Sequence, residues 1–283
     1  MVRICDLHTH STYSDGTFSP EQLVRLAEKK GISAVALCDH NTVAGLPEFL
    51  AAAAKTNVEA VPGVEFSTEY RGVELHILGL FVKPQHYAAV TEKLKQMLSY
   101  KEQSNLALVE ALQKNGLELD YWAIKAATPD GQVNRAVIAA EMLRKGCCGS
   151  LEEAFDKWLS LERGYYHPPR RLDALDVIRF IKSIGAVAVL AHPFLSLGEP
   201  QLHEFLREAV DAGLDAMEVF YSKFSAEQTK RAEEIATQYG LLYSGGSDFH
   251  GANKPDTQLG YGKNNLHISY CIYENLAQRQ KFV

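Results

Sequence analysis

No CxxC pair occurs among the five cysteines (Cys5, Cys38, Cys147, Cys148 and Cys271), and their odd number in a long chain fits reduced thiols rather than a disulfide framework. Cys5 and Cys38 stand in apolar runs, where a buried small hydrophobe is the expected role. Nowhere do eighteen uncharged apolar residues follow one another, so no membrane span is expected. The opening MVRICDLHTH carries no charged leader with an apolar run and cleavage site, which points to a cytoplasmic location. Positive charge is also scarce. The formal net charge of -6 argues against broad attraction to nucleic acid, and no long duplex is expected as a partner. Any preference for phosphate must be local.

A composition of 46% hydrophobic and 23% charged residues is that of a globular chain with a sizeable core, and neither a repeat nor a low-complexity tract interrupts it. A length of 283 residues allows one elaborated domain or two. Apolar runs of strand length alternate with amphipathic stretches: VRICDL, SPEQLVRLAEKKG, SAVALCD, TVAGLPEFLAAAAK and VEAVPGVEF. Ser19 is placed to cap the first helix with Pro20 at its first position, and Gly31 suits the left-handed residue past its end. The rhythm returns in LDALDVIRFIKSIG, AVAVLAH, PQLHEFLREAVDAG, AMEVFY, SAEQTKRAEEIATQYG and LLYSGGSD. Between the halves, residues 84–171 read as consecutive helices, broken at Gly116, at the Pro129 to Gly131 turn and at Gly146, with GYYHPPRR as the return linker. We therefore expect an α/β fold, a parallel barrel or doubly wound sheet, divided as 1–83, a helical insertion over 84–171, and 172–283.

A barrel carries its functional residues on the loops after its strands. His8 and His10 follow VRICDL, with Asp15 in the SDG turn beyond. His40 follows AVALCD, Glu65 follows VEAVPGV, His192 follows AVAVLA, and Asp248 and His250 follow LLYSGGS. His76 lies in VELHILGLFV, an expected strand after the Tyr70 to Gly72 turn, near the same rim. Residues two apart on an extended strand share a face, so the imidazoles of His8 and His10 converge on one cation. A lone His-x-His is more often a surface or hydrogen-bonded pair. Here six of ten histidines fall at matching positions, which favours a metal site. Imidazole and carboxylate together suit zinc, manganese or iron, whereas calcium and magnesium take oxygen ligands.

The segments DLHTHSTYSDGT, ALCDHNTVAG, PGVEFS, LHILGL, LAHPF and GGSDFHG resemble, in order, those of the polymerase-and-histidinol-phosphatase (PHP) superfamily. The helices around NRAVIAAEMLRKG resemble those of its stand-alone nucleotide phosphoesterase branch. This resemblance implies a distorted (β/α)7 TIM-like barrel, with the helical insertion capping its mouth, and two to three divalent metal ions, manganese, iron or zinc. It implies a first metal held by His8, His10, Glu65 and Asp248. Glu65 would bridge to a second, completed by His76 and His192, and Asp15, His40 and His250 would hold a third. Three divalent cations against three carboxylates leave a positive hole in an acidic protein. Coordination lowers the pKa of water from about 16 toward roughly 7, so attack by a metal-held hydroxide is implied.

Arg135, in QVNRAV, is a candidate phosphate clamp because guanidinium offers paired planar donors; a surface helix arginine is the alternative. Arg170 and Arg171 read as a charged exposed turn. The expected catalytic residues are thus His8, His10, Glu65, Arg135, His192 and Asp248, with Arg135, His192 and His250 binding substrate. Asp6 and Asp39 either orient neighbouring histidines or satisfy backbone donors. Phe194, Tyr221 and Phe249 pack at the core or rim, or stack on a base. The general acid stays open among a metal-bound water, a metal-stabilised leaving oxygen and a histidine. The expected substrate is a small phosphorylated molecule, foremost a 3′,5′-bisphosphonucleotide, with short RNA 5′ ends as a further class. Histidinol-phosphate phosphatase and a noncatalytic metal-binding module are the alternatives.

Overall fold

The computed structural model describes residues 3–128, 133–262 and 267–281. Strands β1 (Ile4–Asp6), β2 (Ile32–Leu37), β3 (Glu59–Tyr70), β4 (Val73–Leu80), β6 (Val187–Leu190), β7 (Ala216–Tyr221) and β8 (Leu242–Gly246) pair in that order. The short β5 (Leu172–Asp173) lies off this path, on the distal half of β3. The seven-stranded sheet curls until its ends meet: the Leu7 amide donates to the Gly245 carbonyl (3.1 Å) and the Asp248 amide to the His8 carbonyl (2.9 Å). The result is a nearly closed barrel.

Strand direction departs from an all-parallel barrel at one place. β1, β2 and β3 run parallel, as do β6, β7 and β8, but β4 is antiparallel to both β3 and β6. The cause is local. Arg71 (φ 50°) and Gly72 (φ 80°) both take left-handed conformations, which a two-residue hairpin turn requires. The chain therefore doubles back instead of crossing over through a helix.

The packing follows from the apolar runs. Ala34–Cys38 and Val187–Leu190 are wholly buried, and their alternate residues Ala34, Ala36, Cys38, Val187 and Val189 fill the interior with Leu7, Val61, Leu78 and Ala216. Each Leu or Val so buried contributes about 1.5–3 kcal/mol. Helices α1 (Pro20–Lys29) and α2 (Leu46–Ala53) flank the first strands. α1 starts with the expected cap: the Gln22 amide donates to Ser19 Oγ (3.2 Å) and the Ser19 amide to Gln22 Oε1 (2.9 Å). The later strands carry α7 (Ala174–Ser183), α8 (Pro193–Ser196), α9 (Glu199–Ala212) and α10 (Ala226–Gln238). Helix α11 (Tyr270–Gln280) brings Ile272 and Leu276 onto the interior cluster, its first amide bonded to the Arg3 carbonyl before β1 (3.1 Å).

The chain divides into two compact units, one formed by residues up to Glu92 and from Leu172 onward, the other by Lys93–Arg171. The second unit holds most of α3 (Tyr87–Lys114), then α4 (Tyr121–Ala127), α5 (Arg135–Arg144) and α6 (Leu151–Ala154), which a π-helical turn continues to Leu159. It has its own core, with Leu108, Leu112, Ile138, Met142 and Leu159 buried. Breaks fall at Gly116 (φ 88°) and Gly146 (φ 71°). The Pro129 to Gly131 turn lies outside the described residues. Among the described residues no helix is long and apolar enough to cross a membrane.

Candidate metal centre

The ends of the strands bring nine side chains together. β1 runs out at His8 and His10, whose alternation is kept by Thr9, its hydroxyl donating to the Ala36 carbonyl (2.5 Å). Behind His8 passes Gly246, where an added Cβ would lie only 2.2 Å from His8 Cβ, so β8 comes this close only as glycine. His40 leaves β2 beside Glu65, and Asn41 (φ 53°) turns the loop back by bonding Ser67 through both ends of its amide (3.0 Å each). Glu65 sits in mid-strand rather than at a strand end. The regular pairing of β3 with β2 ends at Pro62, however, with one further bridge between Glu65 and His40, so Glu65 is already at the rim, and β3 continues beyond it to support the hairpin. On β4, His76 pairs with Ser67 and, because that strand is antiparallel, reaches the rim from its first half. His192 (φ 28°) and Asp248 (φ 57°) both take backbone conformations that non-glycine residues avoid. Strain of this kind, about 1–3 kcal/mol per residue, persists where the surroundings fix it and clusters at functional sites.

Glu65 is the hub. Its Oε2 lies 3.2 Å from His8 Nε2, 3.2 Å from His10 Nε2 and 3.0 Å from His40 Nδ1. Its Oε1 lies 2.8 Å from His76 Nδ1 and 3.2 Å from His192 Nε2. Asp248 Oδ1 stands 3.2 Å from His10 Nε2 and 3.8 Å from His8 Nε2. Asp15 faces His250 Nε2 (3.1 Å), His40 Nε2 (3.8 Å) and His10 Nδ1 (3.8 Å). Three overlapping groups result, each with ligand atoms within 4.8 Å of one another: His8, His10 and Glu65; His40, Glu65 and His76; His10, Asp15, His40 and His250.

These donors fit divalent cations. His8 Nε2, both ring nitrogens of His10, His40 Nδ1, Glu65 Oε2 and His250 Nε2 are buried without a hydrogen-bond partner among the described residues. Leaving so many buried polar atoms unsatisfied costs about 1–3 kcal/mol each, unless something else engages them. Two ligands about 2.1 Å from one ion, at about 100°, stand about 3.2 Å apart, which is the spacing of His8 and His10 from Glu65.

Charge within the cluster is mutually stabilised. Burial tends to raise the Glu65 carboxyl, but the His8 and His76 charges outweigh it and hold it well below the usual range. Burial tends to lower His8, yet the Glu218 and Glu65 carboxylates lift it well above an ordinary imidazole. His76 follows the same balance, burial opposed by Glu65, and is pushed up to about 9. Asp15, against its partial burial, is drawn down to about 2 by His250 beside it and by the charges of His40 and His10. Asp248 is lowered further, its burial overcome by the adjacent His10 and the His8 charge. Protons on these imidazoles occupy the place of positive charge that metal ions compete for.

All nine expected ligands thus meet at one centre. Arg135 belongs to the helical unit, where its guanidinium lies 4.1 Å over the Tyr166 ring and donates to the Leu159 carbonyl (3.2 Å). Asp6 and Asp39 serve backbone and hydroxyl donors: Asp6 accepts from the Ser247 and Gly260 amides (2.9 and 2.7 Å), Asp39 from the Ser11 amide and hydroxyl (2.7 and 2.6 Å). Phe249 packs on Phe18, and Phe194 on Phe224. Two residues, Lys254 and Glu218, escaped the sequence reading, and a third, Tyr221, was expected there only to pack or to stack on a base. Tyr221 donates its hydroxyl to Asp248 Oδ2 (2.8 Å), Lys254 Nζ reaches the same oxygen (2.8 Å), and Glu218 accepts from His8 and from the His192 amide. An acidic residue inside the apolar run AMEVFY was the available signal for Glu218.

Comparison with known proteins gives the family. Residues 6–166 match the family model described as PHP domain. The chain is 32% identical over 251 residues to a 5′-3′ exoribonuclease of Haemophilus influenzae, covering 88% of this chain and 91% of that one. A 3′,5′-nucleoside bisphosphate phosphatase of Chromobacterium violaceum is 26% identical over 276 residues, 97% of this chain and 96% of its own. A solved structure from Bifidobacterium adolescentis, whose assignment as a metal-dependent phosphoesterase is itself an inference, superposes with a TM-score of 0.70 at 27% identity, covering 98% of this chain and 96% of that one. With the barrel, the rim cluster and these matches together, the chain belongs to the PHP domain family.

Proposed function

We propose that the protein is a metal-dependent phosphoesterase acting on a nucleotide or short RNA. His8, His10, Asp15, His40, Glu65, His76, His192, Asp248 and His250 hold two to three divalent cations, of manganese, iron or zinc. The observation that carries this reading is the division of Glu65, whose Oε2 faces His8, His10 and His40 while Oε1 faces His76 and His192. A carboxylate shared in this way would serve as a ligand to two cations. Bound cations supply a Lewis acid for phosphoryl oxygens and bring coordinated water toward a pKa of roughly 7.

The chain's own residues set the geometry of that chemistry. Tyr221 and Lys254 hold Asp248 Oδ2, which turns Oδ1 to His8 and His10. Beside them, Ser222, Lys223, Asp256, Thr257, Gln258, Tyr261 and Gly262 line a cavity of about 350 Å³, within the range of small-molecule sites. Its walls continue directly from the segments carrying Tyr221 and Lys254. The nucleotide preference follows the names of the relatives above, one acting on RNA and one on nucleoside bisphosphates. In this reading His192 and His250 bind the substrate's phosphate, Arg135 on the helical unit is a separate phosphate contact, and the location is cytoplasmic.

The test is a release assay with manganese over 3′,5′-bisphosphoadenosine, mononucleotides, 5′-phosphorylated short RNA and histidinol phosphate, with His8→Ala and Asp248→Asn as blanks. Turnover of a nucleotide or RNA substrate that both variants abolish is the expected result. Turnover of histidinol phosphate alone overturns the substrate class, and no turnover by a metal-loaded, folded chain favours a noncatalytic binding module.

A further inference from the structure

Glu218 is an unexpected residue in its strand. Every other side chain of β7 is apolar or aromatic, and Glu218 is fully buried. A buried carboxylate costs several kcal/mol unless it is paired and hydrogen-bonded, and a valine would pack the same strand without that cost. A β-bulge follows it, the register with β8 shifting between Glu218 and Phe220, and bulges re-aim side chains.

Its two oxygens go to two different histidines. Oε1 bonds His8 Nδ1 at 2.9 Å, and Oε2 accepts the backbone amide of His192 at 2.7 Å. Those same histidines turn their Nε2 atoms to the two oxygens of Glu65, His8 to Oε2 and His192 to Oε1, each at 3.2 Å. Glu65, His8, Glu218 and His192 therefore close a four-membered ring of contacts, with the two imidazoles nearly parallel (18°) and 5.7 Å apart. A carboxylate on Nδ1 fixes the tautomer that leaves Nε2 as the ligand atom. An acceptor on the His192 amide holds a backbone at φ 28° that the residue would otherwise leave.

Resting on the metal-dependent reading above, we propose that Glu218 is a positioning residue that couples two of the metal sites. It sets a ligand ring on one side of Glu65 and a ligand backbone on the other, without touching an ion itself. A glutamine cannot replace it in full, because its amide nitrogen donates, so only one of the two N–H groups keeps an acceptor.

The experiment titrates manganese into the metal-free wild type, Glu218→Gln and, to mark the site of Asp15, His40 and His250, Asp15→Asn, by calorimetry, with a melting curve of each metal-free chain. Expected for Glu218→Gln is a roughly 10–100-fold weakening at both sites that share Glu65, with the Asp15-dependent site unchanged. Should the amide variant not fold, Glu218→Asp keeps the charge yet is too short to reach both histidines, and gives the same selective pattern. Unchanged affinities at every site overturn the inference. So does a uniform loss at all sites that tracks the melting temperature, which is what a merely structural role produces. A wild type that takes up no metal fails at the earlier reading, before Glu218 is tested.

Discussion

Gly246→Ala is a small change with a calculable consequence. The new methyl would stand 2.2 Å from His8 Cβ, 2.6 Å from its amide nitrogen and 2.8 Å from its Cα. An ordinary contact between carbons is about 3.5–4.0 Å. Two of the obstructing atoms are backbone, so no rotamer change relieves the clash, and β1 and β8 must separate by about 1.5 Å. Overpacking of this kind costs about 1–3 kcal/mol, which a chain with this core survives. The metal centre has less tolerance, since His8 Nε2 stands 3.2 Å from Glu65 Oε2. A misplacement of about 1 Å costs roughly 100-fold in rate. Gly246→Ala should therefore fold with a lowered Tm, bind manganese at least about tenfold more weakly in calorimetry, and lose about 100-fold in turnover. Gly31→Ala is the control: its φ is +72° with no atom within 4 Å of the added methyl, so it should lose about 1–2 kcal/mol of stability and no metal affinity. Wild-type metal affinity in Gly246→Ala would refute the reasoning.

Three further outcomes follow from the contacts. Tyr221→Phe removes one of the two described donors to Asp248 Oδ2, and a hydrogen bond to a charged group is worth about 1.5–3 kcal/mol, so manganese affinity should fall about tenfold or more; no change would mean that Lys254 suffices. Arg135→Ala should raise KM for a 3′,5′-bisphosphonucleotide about tenfold with kcat nearly unchanged, and an unaltered KM would return Arg135 to a structural role on Tyr166. In the metal-free chain His76 is raised from 6.5 to about 9, so its stabilising charge is fully present below pH 6.5 and lost as pH rises through 9. The wild type should accordingly lose its Tm advantage over His76→Asn between pH 6 and pH 9.5, and an advantage that grows with pH would contradict the assignment.

Much of the centre is legible in the chain because metal ligands must be polar and the barrel core apolar. His8, His10, His40, His192 and Asp248 stand out where apolar runs end, and the strands do end there. Less visible is whatever depends on strand direction. An amphipathic β4 reads the same in either sense, so His76 could be placed at the rim but its antiparallel approach could not. Glu65 shows the same effect, since a strand that outruns its barrel partner hides where the rim falls. Asp6 and Asp39 offered two roles, and only the loop amides turned toward them decide for the backbone. Glu218 was hardest to see, because a single acidic letter in an apolar run announces burial but not its partners after β1 and after β6.

Anomalous diffraction from crystals of the manganese-loaded chain tests the central claim most directly. Two to three peaks should lie about 2 Å from the nitrogens of His8, His10, His40, His76, His192 and His250, with the two oxygens of Glu65 directed to different ions. Peaks elsewhere on the molecule, or a Glu65 that touches no ion, would contradict it.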